Sequence, residues 1–205
     1  MVNKMISIFK PRKIQDFNPS GLNIFTFNAG FKKKHKDLLL IIFDKIINVC
    51  CVYSKTSTPS APIIWDKKNN KGKVKALVVN AGNANAHTGK EGLKIIDEYV
   101  EVLTQKIECK PQEVLVSSTG VIGEKFNPNL IINKIKKINS KNRNSLLESA
   151  QAIMTTDTFP KVSIKNIKLD NQSFKIYGIA KGSGMIQPNM ATMLVYIFIT
   201  NRKHH

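Results

Sequence analysis

Apolar positions along the chain form short continuous runs, broken by polar and glycine-rich stretches, with one long helical stripe among them. Leu38 to Phe43 is six apolar residues without interruption, the mark of a buried strand. Val49 to Tyr53 reads as a second strand. Pro59 and Pro62 break the chain before Ile63 to Trp65, and Asp66 to Lys73 reads as a polar loop. Val74 to Val79 is a strand running into the asparagine- and glycine-rich stretch Asn80 to Gly89. Leu93, Ile96, Val100, Leu103 and Ile107 recur at three- and four-residue steps, which predicts a helix over about 90–106 with that stripe facing the core. Val114 to Val116 is a further strand, and Ser117 to Gly123 a turn.

A helix is predicted to begin at Pro128, a favoured first residue, behind Asn127 as its cap. Its stripe is Ile131, Ile135 and Ile138. Another helix is expected from about Ser145 to Met154. Lys161 to Leu169 and Ser173 to Ile179 flank Asp170-Asn171-Gln172 as a hairpin. Lys181 to Gly184 reads as a flexible loop, and Met193 to Thr200 as a last strand. Residues 1–20 read as a loose basic arm. Strands and helices alternate in part and one hairpin interrupts them, so the pattern predicts an α/β fold with mixed sheets rather than a purely parallel one.

The chain has 205 residues, 42% of them hydrophobic and 22% charged, which suits a globular fold. No apolar run approaches the roughly 20 residues of a membrane span. The basic start has no sustained apolar stretch before Pro11, which argues against a secretory signal. Cys50, Cys51 and Cys109 have no metal-ligand spacing, so no zinc site or disulfide framework is expected. The formal charge of +18 raises the question of nucleic acid. The lysines, however, fall in many short groups interleaved with isoleucine and asparagine rather than with aromatics. That favours a compositional bias of the surface, and no nucleic-acid partner is expected.

Ordinary catalytic patterns are missing. There is no GxxxxGK[ST], no GxGxxG, and no carboxylate pair beside a histidine. His35, His87, His204 and His205 form no triad or metal cluster. Threonine chemistry is what remains. A threonine hydroxyl needs a base, and a chain cut just before it supplies one as its own α-amine, whose ordinary pKa is about 7.7–8.0. Gly184-Met-Ile-Gln-Pro-Asn-Met-Ala-Thr-Met-Leu194 has the flexible approach such a cut requires, although residue pattern alone does not single it out.

Four segments carry a resemblance. Lys181-Gly-Ser-Gly-Met-Ile-Gln-Pro-Asn-Met-Ala-Thr-Met-Leu194 resembles the self-cleavage segment of the ornithine acetyltransferase (glutamate N-acetyltransferase) family of arginine biosynthesis. Ala152 to Lys161, Val116 to Glu124 and Val78 to Gly89 are similar to that family's other blocks, in the same order and at similar spacing. The likeness extends over roughly residues 25–200. It implies an αββα sandwich, incomplete here. It implies a first-subunit domain over 21–191 and the start of a second subunit at 192–205.

By the same resemblance, Thr192 is the nucleophile, released by cleavage of the Ala191–Thr192 bond. Thr119 and Gly120 form the oxyanion hole. Thr155, Lys181 and Thr192 bind substrate, with Thr156 a neighbour easily confused with Thr155. The implied reaction moves acetyl from N-acetylornithine to glutamate through an acetyl-threonine. No cofactor is implied, and acetyl-CoA stays open as another donor. The implied assembly is an α2β2 heterotetramer in the cytoplasm. The Asn80 to Gly89 block is expected to brace the nucleophile loop.

Departures from the family pattern are His87, where cysteine is usual, the region Asp44 to Ser57, and an end 13 residues after Thr192. That early end leads to the expectation of a missing second subunit and of uncovered apolar surface. Competing readings are an inactive or split-gene piece of the same enzyme, and an amidase or aminopeptidase using the same N-terminal threonine.

Overall fold

The computed structural model of the chain describes residues 16–139, 143–170, 172–183 and 193–202. Four strands make the first sheet: β1 (Leu22–Phe27), β2 (Leu38–Asn48), β3 (Lys73–Asn83) and β4 (Val114–Val121), in that spatial order. β1, β2 and β3 pair antiparallel, and β4 joins β3 parallel. The parallel step needs a crossover, supplied by helix α2 (Gly89–Ile107). β5 (Lys161–Leu169), β6 (Gln172–Lys181) and β7 (Leu194–Arg202) form a second, wholly antiparallel sheet.

Strand alternation splits the core in two. Leu38 and Leu40 of β2, with Ala76, Val78, Val114 and Val116, face the helices, where they meet Ile96, Tyr99, Val100 and Leu103 of α2. Trp65 of α1 (Ala61–Asn69) and Ile131, Ile132 and Ile135 of α3 (Asn129–Ile135) join that layer. Leu39 and Ile41 point the other way, with Val79 and Leu115, onto Tyr177, Ile179 and Phe198 of the second sheet. Helix α4 (Leu146–Ala152) adds Leu146 and Ala150 to the inter-sheet core. The predicted mixed α/β fold is therefore found as a helix layer, a sheet and a second sheet, three of the four layers of the expected sandwich.

Several boundaries differ from expectation, each for a physical reason. Val49 to Tyr53 is not a strand. β2 runs on to Asn48, which pairs with Lys73, the first residue of β3. Val49 donates a last bond to the Gly72 carbonyl, beyond which β3 offers no partner. Residues 66–69 continue a helix rather than a loop, because Pro62 falls in the first turn of α1 and starts it. The Ser117 to Gly123 turn is strand as far as Val121. β1 has no counterpart in the predicted elements. β7 is the last strand expected over Met193 to Thr200, and it pairs antiparallel with β6 along its length.

Candidate active site

Thr119 and Gly120 sit near the end of β4, opposite Ala81 and Gly82 of β3, where the register of the two strands shifts. Gly120 has φ +136, and a Cβ there would lie 2.2 Å from the Gly82 carbonyl carbon. Only glycine fits this close approach. Gly82 is itself pressed against Phe31, whose ring meets Phe126 edge-on at 5.0 Å. The loop bearing Phe31 is wrapped around Asp37, whose carboxylate accepts from the amides of Ala29, Gly30 and Lys32. Lys32 Nζ in turn donates to the carbonyls of Ala152 and Met154 past α4. The strand ends carrying Thr119 are thus held from both sides.

The asparagines of the Asn80 to Gly89 stretch are spent on this scaffold. Asn80 Nδ2 donates to the Asn83 carbonyl, and Ser118 Oγ donates to Asn80 Oδ1 at 2.6 Å. Asn83 Nδ2 donates to the Glu124 carbonyl, while Asn85 bonds the Gly92 carbonyl and the Thr88 hydroxyl. These bonds brace the loop, and they spend on the main chain polar groups that a ligand would otherwise need.

Lys181 ends β6 and reaches across the inter-sheet space. It is 2% exposed and Thr119 is 1% exposed. Lys181 Nζ donates to Thr119 Oγ1 at 2.8 Å. Burial pulls the lysine pKa below its ordinary value; the Asp157 charge opposes that shift and the Lys161 charge adds to it. Lys181 is therefore a strand residue in a buried bond rather than part of a flexible loop.

Asp157 was not among the sequence-predicted site residues, yet it joins two of them. It is 1% exposed. Its Oδ2 accepts from the Thr155 amide at 3.3 Å, and its Oδ1 from the Gly182 amide at 2.8 Å and from Lys161 Nζ. Burial alone would raise its pKa. Lys161 and the two amides outweigh that and hold the carboxyl below its usual range. Thr155 is half-buried on this loop, and Thr156 Oγ1 shares a 3.1 Å bond with Ser183 Oγ. Tyr196 of β7 brings a buried hydroxyl beside Ser117 of β4.

Ala191 and Thr192, the predicted cleavage pair, lie outside the described residues. The residues next to them do not. Gly182 lies against Met193, and Leu194 pairs with Lys181. The chain therefore leaves and re-enters the second sheet beside the Lys181–Thr119 bond. Thr119, Gly120 and Lys181 are brought together, and Asp157 ties the Thr155 loop to them. Between the sheets this provides a hydroxyl backed by an ammonium, a strained glycine at the strand end and a buried carboxylate. The hydroxyl and the ammonium suit stabilising negative charge on a reacting carbonyl.

The chain is similar to known proteins in both sequence and fold. A bifunctional arginine biosynthesis protein ArgJ from Bartonella henselae is 40% identical over 196 residues, covering 94% of this chain and 48% of its own length. That from Mesorhizobium japonicum is 43% identical over 180 residues, 86% of this chain and 44% of its own. The chain thus spans about half the length of the curated relatives it matches. Among solved structures, ArgJ from Bacillus halodurans superposes with a TM-score of 0.75 at 32% identity, covering 84% of this chain and 92% of that one. An ornithine acetyltransferase from Mycobacterium tuberculosis, solved in complex with ornithine, gives 0.71 at 25% identity, with 86% and 94% covered. The ArgJ family model matches residues 23–203, and the chain belongs to the ArgJ family.

Proposed function

We propose that this chain carries the self-cleaving, first-subunit part of an acyltransferase of arginine biosynthesis that moves acetyl from N-acetylornithine to glutamate. The observation that supports it best is the buried Lys181–Thr119 bond beside the point where the chain returns from Thr192 into β7. In this reading the Thr192 hydroxyl attacks the Ala191 carbonyl carbon. A C–O bond forms, the C–N bond breaks, and the hydroxyl proton passes to the released nitrogen. Water then hydrolyses the ester, leaving Ala191 as a carboxylate and Thr192 as a free N-terminus.

That amine serves as the base for the next attack, on the acetyl carbonyl of N-acetylornithine. Ornithine leaves, and the acetyl-threonine ester passes its acetyl to the glutamate amine. Each attack puts negative charge on a carbonyl oxygen, where the Thr119 hydroxyl and Gly120 amide would donate to it. Thr155 and Lys181 are assigned to the substrate side of this site. Acetyl-CoA is a second donor to be tried. The remaining half of the family's length is assigned to a second subunit, in an α2β2 assembly in the cytoplasm.

Intact mass spectrometry of the purified chain tests the reading. Two products meeting at Ala191–Thr192, absent in Thr192→Ala, are expected. A chain that stays whole under the same conditions, with or without the second-subunit half, would refute self-cleavage. Acetyl transfer is then measured against acetyl hydrolysis in the same mixture, which separates a transferase from an amidase.

A further inference from the structure

We propose that Lys32 is a positioning residue for acetyl transfer: it ties the start of the Thr155 loop to the loop that backs the oxyanion strands, and so fixes where Thr155 stands. This rests on the acyl-transfer reading above, in which Thr155 lies on the substrate side. Lys32 opens a run of three lysines, Lys32-Lys33-Lys34, but the three are not alike. Lys33 and Lys34 are exposed, whereas Lys32 is half-buried. Its Nζ donates to the Met154 carbonyl at 2.6 Å, to the Ala152 carbonyl at 3.3 Å and to the Lys36 carbonyl at 3.4 Å. Ala152 is the last residue of α4. Carbonyls at a helix end lack intrahelical partners, and a cation is favoured there. Met154 directly precedes Thr155, so the shortest of these bonds holds the main chain one residue from the substrate side.

The root of Lys32 is set as firmly as its tip. Its amide donates at 2.8 Å to the carboxylate of Asp37, which is fully buried. Phe31, one residue earlier, lies against Gly82, and Gly82 lies against Gly120. One short loop therefore touches both halves of the site. Phe31 stands behind the oxyanion strands, and Lys32 grips the chain before Thr155. From the other end of the Thr155 loop, Asp157 accepts from the Gly182 amide, beside the Lys181–Thr119 bond. These contacts close a ring that starts and ends on β4. A bound acyl donor must place its carbonyl at Thr119 and Gly120 while Thr155 holds another part of it. The ring fixes that separation, which is what orientation of a substrate requires.

Self-cleavage and substrate capture separate this role from a merely structural one, because self-cleavage brings no substrate to Thr155. The test uses the full chain together with the second-subunit half. Lys32→Met should raise the KM for N-acetylornithine about tenfold, the usual effect of losing a hydrogen bond from a charged group. The fragment that starts at Thr192 should still appear within about twofold of the wild-type rate, since an interaction used only in substrate binding leaves other steps alone. Lys33→Met, at the exposed neighbour, should change neither quantity. Lys32→Arg should recover part of the KM, because a guanidinium also donates to carbonyls. Thr155→Ala should raise the KM by itself, and adding Lys32→Met to it should raise it no further, as expected of two residues acting through one contact.

A wild-type KM in Lys32→Met would overturn the inference and leave the acyl-transfer reading standing. The same rise in Lys33→Met, or multiplied effects in the double variant, would overturn it too. A lower melting temperature with a parallel loss of self-cleavage in Lys32→Met would show that Lys32 only holds the fold together, and that also ends the inference. Should the wild-type protein neither cleave nor transfer, the acyl-transfer reading fails, and the hold on Thr155 is then read from hydrogen exchange at its amide, which donates to Asp157. Exchange there should quicken in Lys32→Met and not in Lys33→Met. Equal exchange in the two variants would overturn the positioning itself.

Discussion

At the scale of single residues, the site is a set of positions where one atom more or less is felt. Gly120 combines φ +136 with a neighbouring carbonyl that a Cβ would overlap. Gly120→Ala is therefore expected to lower stability by about 3 kcal/mol, backbone strain and overpacking acting together, measured by urea denaturation. A loss under about 0.5 kcal/mol would mean that the strand ends move apart freely. Asp157 is the other such position. Asp157→Ala leaves the Gly182 and Thr155 amides without their acceptor and Lys161 without its partner, at an expected cost of about 3 kcal/mol. Asp157→Asn keeps an acceptor oxygen and should cost about 1 kcal/mol. Hydrogen exchange at the Gly182 amide reports the same bond directly, and should quicken in the alanine variant well beyond the asparagine one. Equal exchange in both would show that Asp157 does not tie the two loops. Thr119, Gly120, Lys181 and Thr155 were legible only through the resemblance of their segments. Asp157 stood inside one of those segments and was still passed over. Its role depends on a bond to Gly182, 25 positions away, and the Lys181–Thr119 bond spans 62. Nothing in local spacing encodes either.

At the scale of elements, periodicity found what is amphipathic or wholly apolar and missed what is held by partners. The α2 stripe was legible because Ile96, Val100 and Leu103 are all buried on one face. β1 was not, since Leu22 to Phe27 mixes asparagine and threonine into its run and owes its place to pairing with β2. The helical fate of Asp66 was hidden for a related reason. Its side chain is buried and accepts from the Val116 amide of β4, so a residue typical of loops serves to pin a helix to an edge strand. Burial pushes the Asp66 carboxyl up to about 8, against the lowering effect of that bond. The unfolded chain binds its proton with a pKa near 3.8, so between these values the folded state holds more protons. Stability from this group accordingly falls as pH rises from about 4 to about 8, then levels off. Cys51, Tyr53 and Tyr99 face the same carboxylate, and burial raises each of them and favours its neutral form. Asp66→Asn is expected to remove this slope and to be more stable than the parent at pH 8 but not at pH 5. Parallel denaturation curves at both values, with the same difference between variants, would contradict it. α4 offers a simpler case that the sequence did suggest. Ser145 Oγ accepts from the Glu148 amide and Glu148 reaches back to the Ser145 amide, so Ser145→Ala should cost about 1 kcal/mol.

At the scale of the molecule, the two faces of the second sheet are unequal. Tyr177, Ile179 and Phe198 point into the inter-sheet core. On the opposite face of β7, Val195, Ile197 and Ile199 are 47%, 65% and 66% exposed. They stand in register with Ala180, Gly178 and Ile176 of β6, so the apolar surface continues across the strands. A contiguous exposed patch of this kind drives association. The chain also carries a net charge of +18, and like-charged copies repel. The two effects differ in range. Hydrophobic contact acts only on touching, whereas charge repulsion reaches over a screening length of about 30 Å at 0.01 M salt and about 3 Å at 1 M. Association of the chain should therefore be weak in dilute buffer and grow as salt is added, opposite to what an assembly held by ion pairs would do. Gel filtration or light scattering at the two ionic strengths checks this, and Ile197→Lys with Ile199→Lys should abolish the salt-induced growth while leaving the melting temperature nearly unchanged, because neither side chain contributes to the inner core. A chain that stays monomeric at every salt concentration would mean that the face is too small to hold two copies together.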